Sequence, residues 1–142
     1  MFDTRRLIAS VLGSSCLILV APMAHADRCP AGYDINRKIQ ITQGNGFTVN
    51  CQLRLSKGEV GPQTRGSFTG ICESRGNASQ EVHGFIDKNS RFKMQVDWNG
   101  GSVGVYTGHL NENGRLVDGR TFDASHPANW SDWRIQGSLP CK

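Results

Sequence analysis

Three residues near one predicted turn have the chemistry to hold a polar ligand. The segment GVYTGHLNENGRLVDGRTFD, residues 104–123, alternates like a β-hairpin around a turn at 111–114. With a four-residue loop there, His109 and Asp118 are diagonal neighbours, roughly 7–8 Å apart, and Arg120 follows on the same face. Their donors and charges could orient a ligand at the edge of a cavity. The alternative is a solvated face with a weak ion pair.

The glycines of this hairpin predict a second feature. In the same register Tyr106 lies opposite Gly119 and is flanked by Gly104 and Gly108. An aromatic ring over glycine is typical of strongly curved sheets, so we expect the glycines to make room for the Tyr106 ring. A β-bulge at Asp118 would change the pairing and, with it, the assignment of faces.

Aromatic residues elsewhere could stack on a ligand. Trp130 lies in a loop that enters the last predicted strand, where Trp133 begins the core face. Trp98, Tyr106 and Phe122 could line an apolar cavity. The ligand-binding residues that the sequence predicts are therefore Trp98, Tyr106, His109, Asp118, Arg120 and Trp130.

One further group of residues could support acid–base chemistry. Glu81 and His83 share a face of one strand, and Arg91 lies in the next. Glutamate, histidine and arginine on a sheet resemble the sites of small secreted ribonucleases, although the motifs of those enzymes are absent. An exposed polar face explains the same residues. There is no serine elbow, phosphate loop or His-x-x-x-His pair, so we expect no catalytic residue, metal or cofactor.

Four cysteines predict two disulfides. Cys29, Cys51, Cys72 and Cys141 remain when Cys16 is assigned to an N-terminal targeting segment. A short exported chain with four cysteines and no C-x-x-C pair is typical of a disulfide framework, for which three pairings are possible. We expect Cys29–Cys141, which joins the chain ends, and Cys51–Cys72, which lies on the apolar side of consecutive strands.

The N-terminus has the order of a secretory signal. Two arginines precede an apolar run at 7–20, and a small-x-small motif ends at Ala26. This order predicts a signal peptide over 1–26 and a single mature domain over 27–142, periplasmic or secreted. Twin-arginine export is a weaker alternative. Lipid attachment at Cys16 is another, and it is disfavoured because Cys16 lies inside the apolar run and not at its end. No membrane association is expected after cleavage.

The intervening sequence must position these residues on strands. Turn signals recur at 44–46, 75–77, 87–90, 99–101 and 111–114. Between them apolar and polar residues alternate with a period of two, and no helical stripe occurs after residue 26. About eight strands joined by tight turns predict an antiparallel meander that closes into a small barrel, because closure removes exposed edges. A two-sheet β-sandwich is the alternative, with the irregular stretch 57–66 as a crossover.

This pattern resembles small calycin-type secreted barrels, a group that includes lipocalins, avidins and bacterial protease inhibitors. The resemblance is one of architecture alone and assigns no site residue. It is compatible with a noncatalytic role in binding.

Charge and composition narrow the function further. The net charge is only +4, and lysines and arginines are scattered among acids, so nucleic acid is not expected as a partner. We expect a monomeric, exported, noncatalytic binding protein that takes a small ligand or glycan at a barrel mouth. The alternative is an inhibitor or immunity-type protein that binds a protein through an exposed loop or a terminus such as 27–33. A small secreted hydrolase or ribonuclease is less favoured.

Overall fold

The alternation of apolar and polar side chains produces one continuous sheet. The computed structural model of the protein describes residues 28–56 and 64–142. Its strands are β1 (Lys38–Gln43), β2 (Thr48–Leu55), β3 (Thr64–Ser74), β4 (Asn77–Asp87), β5 (Arg91–Trp98), β6 (Val103–Leu110), β7 (Leu116–Asp123) and β8 (Trp130–Ile135). The predicted signal segment and most of the irregular stretch 57–66 lie outside the described residues. Within those ranges no helix is long and apolar enough to cross a membrane.

The sheet closes on itself. Each strand pairs antiparallel with the next, and β8 returns to β1, where Ile41 lies opposite Ile135. The strands therefore form an eight-stranded barrel in meander order, which confirms the predicted barrel over the sandwich. Closure gives the backbone groups of both terminal strands a partner, so neither strand is left as an open edge.

Aromatic rings fill the lower part of the barrel interior. The ring centroids of Phe68 and Phe92 are 5.5 Å apart, and Phe92 is in turn 5.5 Å from Trp133. Trp133 is buried, as expected for the core face of the last strand, and its indole N–H donates to the backbone oxygen of Thr107 at 2.9 Å. This column of rings removes apolar surface from water and leaves the mid-barrel packed.

The segments at 28–35 and 136–142 cover one end of the barrel. The Cys29–Cys141 disulfide joins them, and the Leu139 N–H donates to the backbone oxygen of Gly114 at 2.9 Å. Cys51–Cys72 links directly opposed residues of β2 and β3. Both disulfides are those expected from the sequence. Disulfides of this kind are compatible with an oxidising extracellular or periplasmic compartment.

The predicted register of the β6–β7 hairpin is wrong. Leu110 pairs with Leu116, so the loop is one residue longer than expected, and the register shifts again at Asp118, whose φ is +52°. A bulge adds one residue to one strand and reverses which residues share a face. The longer loop and the bulge together move the pairing by two residues, so Tyr106 lies opposite Thr121 and not opposite Gly119, while both residues stay on the face of Tyr106.

The glycines beside Tyr106 have separate roles. A Cβ built on Gly104 would lie 3.1 Å from Cε2 of Tyr106, so this glycine does make room for the ring. A Cβ on Gly119 would lie 2.2 Å from the backbone oxygen of Trp133, so that glycine makes room for the neighbouring strand. Close backbone approach is a usual reason for glycine inside a strand.

Candidate functional site

The end of the barrel opposite the Cys29–Cys141 disulfide is open. The connections β1–β2, β3–β4, β5–β6 and β7–β8 all fall at this end because alternate turns of a meander lie together. They surround a cleft of about 1020 Å³, which we call the mouth. Its lining combines aromatic rings with amides, hydroxyls and carboxylates, and it is as large as cavities that hold small ligands.

Tyr106 forms the floor of the mouth. Its side chain is 2% exposed, and its hydroxyl accepts a hydrogen bond from Nε2 of Gln43 at 3.0 Å and bonds the Thr121 side chain. Burial raises the pKa of Tyr106 to about 12, while these hydrogen bonds act in the opposite direction. The phenol therefore remains neutral at physiological pH and closes the mouth with a fixed polar group.

Trp98 lies beside this floor at the end of β5. A Cβ on Gly104 would come within 3.2 Å of Nε1 of Trp98, so the missing side chain leaves space next to the indole N–H. This N–H makes no hydrogen bond to any residue in the described part of the chain. Trp98 therefore presents an available donor and an aromatic surface to the mouth.

Two aromatic side chains lie at the rim, each under an arginine. The Arg75 guanidinium carbon lies 3.9 Å from the ring centroid of Phe47, and that of Arg120 lies 4.6 Å from Trp130. Phe47 is 39% exposed and Trp130 is 53% exposed. Guanidinium groups stack favourably on aromatic faces, and the pairing holds both side chains in place at the water boundary.

The β7–β8 loop is shaped by a short polar network. The carboxylate of Asp123 accepts hydrogen bonds from the backbone N–H of Ser125 at 2.8 Å and from its hydroxyl, and Nδ1 of His126 lies 3.8 Å away. The hydrogen bonds from Ser125 lower the pKa of Asp123, so it is ionised at neutral pH. The network folds the loop that brings Trp130 to the rim.

The mouth contains half of the residues predicted to bind ligand. Trp98, Tyr106 and Trp130 line it. Arg120 projects from the outer wall and reaches the mouth through its contact with Trp130. His109 and Asp118 lie on the outer wall nearer the covered end, because the turn of the β6–β7 hairpin is located there. The polar patch predicted from these residues is therefore not part of the mouth.

Several lining residues were not predicted, among them Gln43, Phe47, Arg75 and Thr121. Gln43 and Phe47 flank the β1–β2 turn, and Arg75 lies in the β3–β4 turn. The signal that could have found them is their place in the meander: residues at every second turn must meet at one end. Thr121 lines the mouth because it lies directly opposite Tyr106 on the inward face of β7.

The residues considered for acid–base chemistry lie on the outer wall. Nδ1 of His83 is 4.0 Å from Oε1 of Glu81, and both side chains are more than half exposed. Arg91 instead binds Asp87, with Nε 2.7 Å from Oδ2. Burial alone would raise the pKa of Asp87, but hydrogen bonds from Arg91 and Asn89 lower it below the ordinary value. The structure thus does not bring Arg91 to the other two residues.

Comparison with known proteins leaves the site to be interpreted from its own geometry. Searches against protein-family models, curated proteins and solved structures gave no significant match. In the parts of the chain that are described, no group of three or more histidine, cysteine, aspartate or glutamate side chains could hold a metal ion. The fold and the site together define a disulfide-linked, closed eight-stranded barrel with one covered end and one open, aromatic-lined end.

Proposed function

We propose that the protein is an exported, noncatalytic binding protein that takes a sugar or short glycan in the mouth. The observation that carries this proposal is a cleft of about 1020 Å³ whose aromatic floor and polar rim lie above a filled barrel core. We place the protein in the periplasm or outside the cell, in keeping with its two disulfides.

The packed interior favours a polar ligand over a lipid. Tyr106 meets Trp133 edge to face at 5.3 Å, and Phe92 and Phe68 continue the column below. An acyl chain would need a deep apolar cavity, and this column occupies the space where one would lie. A bound molecule therefore rests above Tyr106, in contact with both aromatic rings and hydrated polar groups.

The chemistry of the lining favours a sugar. A pyranose presents an apolar C–H face and an edge of hydroxyl groups. Aromatic side chains such as Phe47 and Trp98 can pack against the face. Planar amides and carboxylates can exchange hydrogen bonds with the edge. Those that line the mouth belong to Gln43, Asn45, Asn77, Asn129, Asp123 and Asp132.

A glycan array followed by calorimetry tests this proposal. The matched variants are Phe47→Ala, in the mouth, and Phe85→Ala, on the outer wall of β4; both rings are 39% exposed. We expect Phe47→Ala to weaken binding of the sugar selected on the array about tenfold, which is about 1.4 kcal/mol. Phe85→Ala should change affinity less than about twofold. Absence of any sugar binding, or equal effects of the two variants, would contradict the proposal.

A protein partner is the second candidate, and one observation favours it. Trp130 is 53% exposed, carries Arg120 on its ring and lies directly opposite Phe122 on the same outer face. Tryptophan and arginine are the residues most enriched at the energetic centres of protein interfaces. If the ligand is a protein bound through Trp130, the immobilised parent protein should capture it from an extract. Trp130→Ala would abolish this capture, whereas Phe47→Ala would leave it intact.

A further inference from the structure

We infer that the sugar bound in the mouth carries an anionic group, carboxylate or sulfate, and that Arg75 binds it. This inference rests on the proposed function and names the class of ligand. Arg75 is one of the residues that line the mouth, and its guanidinium is held 3.9 Å above the Phe47 ring.

The backbone places Arg75 at the rim. Arg75 and Gly76 form the turn between β3 and β4, with φ values of +51° and +76°. Two successive left-handed residues are typical of the tight hairpin turns that match the twist of the flanking strands. The turn fixes the backbone of Arg75, and contact with the Phe47 ring restrains its guanidinium group.

The stacked guanidinium is left with free donors. It makes no hydrogen bond or ion pair with any residue in 28–56 or 64–142. The N–H groups of a guanidinium point outward in its own plane, where they match the two oxygens of a carboxylate or sulfate, and contact of Cζ with a ring does not use these donors. Because Phe47 limits its freedom, little rotamer entropy remains to be lost when the anion binds.

Two other arginines, Arg91 and Arg28, have their donors engaged. Arg91 donates to Oδ2 of Asp87 at 2.7 Å. Arg28 donates to the backbone oxygens of Glu112 at 2.6 Å and Leu139 at 3.1 Å, where it fastens the covered end. Arg75 differs from both, since it lies in a cleft and its charge has no partner within the described structure.

The carboxylates at the mouth do not compete for this position. Asp123 is engaged by Ser125 in the β7–β8 loop. Asp132 lies against Gly44: a Cβ added to Gly44 would lie 1.9 Å from Oδ1 of Asp132. Asp132 is also the cross-strand neighbour of Arg120. Like charges repel, so an anionic group is directed away from these carboxylates and toward Arg75.

Binding of a matched pair of sugars tests the inference. We would compare trigalacturonate with its methyl ester, which keeps the same rings and removes the charge, and add a sulfated disaccharide as the second source of an anion. We expect the protein to bind at least one acidic sugar about tenfold more tightly than the neutral ester. Added salt should reduce this preference, because a partly exposed ion pair is screened.

Two matched variants assign the preference to one residue. Arg75→Gln should remove most of the preference for the acidic sugar, so that the acid and its methyl ester bind with similar affinity. Arg54→Gln, which removes an exposed charge from the outer wall of β2, should change neither affinity by more than about twofold. Thermal melts confirm that both variants are folded.

The outcomes separate the inference from the proposed function. A methyl ester that binds as tightly as the acid, with Phe47→Ala still weakening it, overturns the inference and leaves sugar binding in place. An acidic preference that Arg75→Gln and Arg54→Gln reduce equally also overturns it, because the effect is then one of net charge. If none of the three sugars binds while the array yields a neutral sugar that Phe47→Ala weakens, the inference alone fails; if the array yields no sugar either, the proposed function fails with it.

Discussion

Tyr106 and Trp133 meet edge to face, with ring centroids 5.3 Å apart and an interplanar angle of 86°. This contact divides the barrel into two parts. Below it, aromatic rings fill the interior, and above it the mouth is open to solvent. The same side chain therefore completes the hydrophobic core and forms the floor of the candidate site.

The first prediction concerns this contact. Tyr106→Ala should lower the free energy of unfolding by about 3–5 kcal/mol, because it removes a buried aromatic ring and leaves a cavity beside Trp133. Tyr106→Phe should cost about 1–3 kcal/mol, since Gln43 Nε2 loses its acceptor. Denaturant unfolding measures both. His109→Ala, on the exposed outer wall, is the control and should stay within about 0.5 kcal/mol of the parent. A Tyr106→Ala protein that unfolds like the parent would refute this role.

The second prediction concerns the glycine that faces the neighbouring strand. Gly119→Ala should destabilise the barrel by about 1–3 kcal/mol, because its Cβ would lie 2.2 Å from the backbone oxygen of Trp133 and the strands would have to separate. Gly104→Ala is the matched change, with nearest contacts at 3.1 Å and 3.2 Å to side-chain atoms of Tyr106 and Trp98. Thermal melts should rank Gly119→Ala as the more damaging of the two, and the opposite order would show that the β7–β8 contact is looser than described.

The third prediction concerns the disulfides. Replacing Cys29 and Cys141 by alanine should cost about 4–5 kcal/mol in the chain-entropy account, because the bridge closes a loop with a sequence separation of 112. The same change at Cys51 and Cys72, with a separation of 21, should cost about 3 kcal/mol. Denaturant unfolding of the two double variants gives the comparison. A greater loss from the shorter loop would mean that local packing, and not loop closure, governs stability.

The fourth prediction concerns pH. The hydrogen bonds from Arg91 and Asn89 keep the pKa of Asp87 below its ordinary value of 3.8 in the folded protein. The resulting stabilisation is fully present above pH 3.8 and is lost as the pH falls through the lower, folded-state pKa. Asp87→Asn should therefore be less stable than the parent at neutral pH, and the difference should shrink in strong acid. Unfolding curves from pH 7 to pH 2 measure it, with Asp118→Asn as the exposed control; a difference that is constant across this range would contradict the assignment.

The sequence predicted the architecture well because its signals were local. The period of two in the strands and the regular turns can each be identified from short segments of chain. The Cys29–Cys141 pairing was predicted from the positions of these cysteines near the two ends of the predicted mature domain. The mouth was only partly predictable. The bulge at Asp118 depends on a left-handed backbone conformation that the residue type alone does not specify, and it changes which residues of β7 lie opposite those of β6. Arg75 and Phe47 are 28 positions apart in the sequence and meet because the pairing of β2 with β3 brings their two turns side by side.

The indole N–H signals of the three tryptophans test the central claim most directly. Trp98 and Trp130 line the mouth, whereas the Trp133 N–H is buried and bonded to the backbone of Thr107 and Arg120. In a nitrogen–proton correlation spectrum recorded during titration with the sugar selected on the array, the Trp98 signal should move most and that of Trp130 should follow. The Trp133 signal should move least. Shifts confined to amides of the outer wall, with the Trp98 signal unchanged, would contradict a binding site in the mouth.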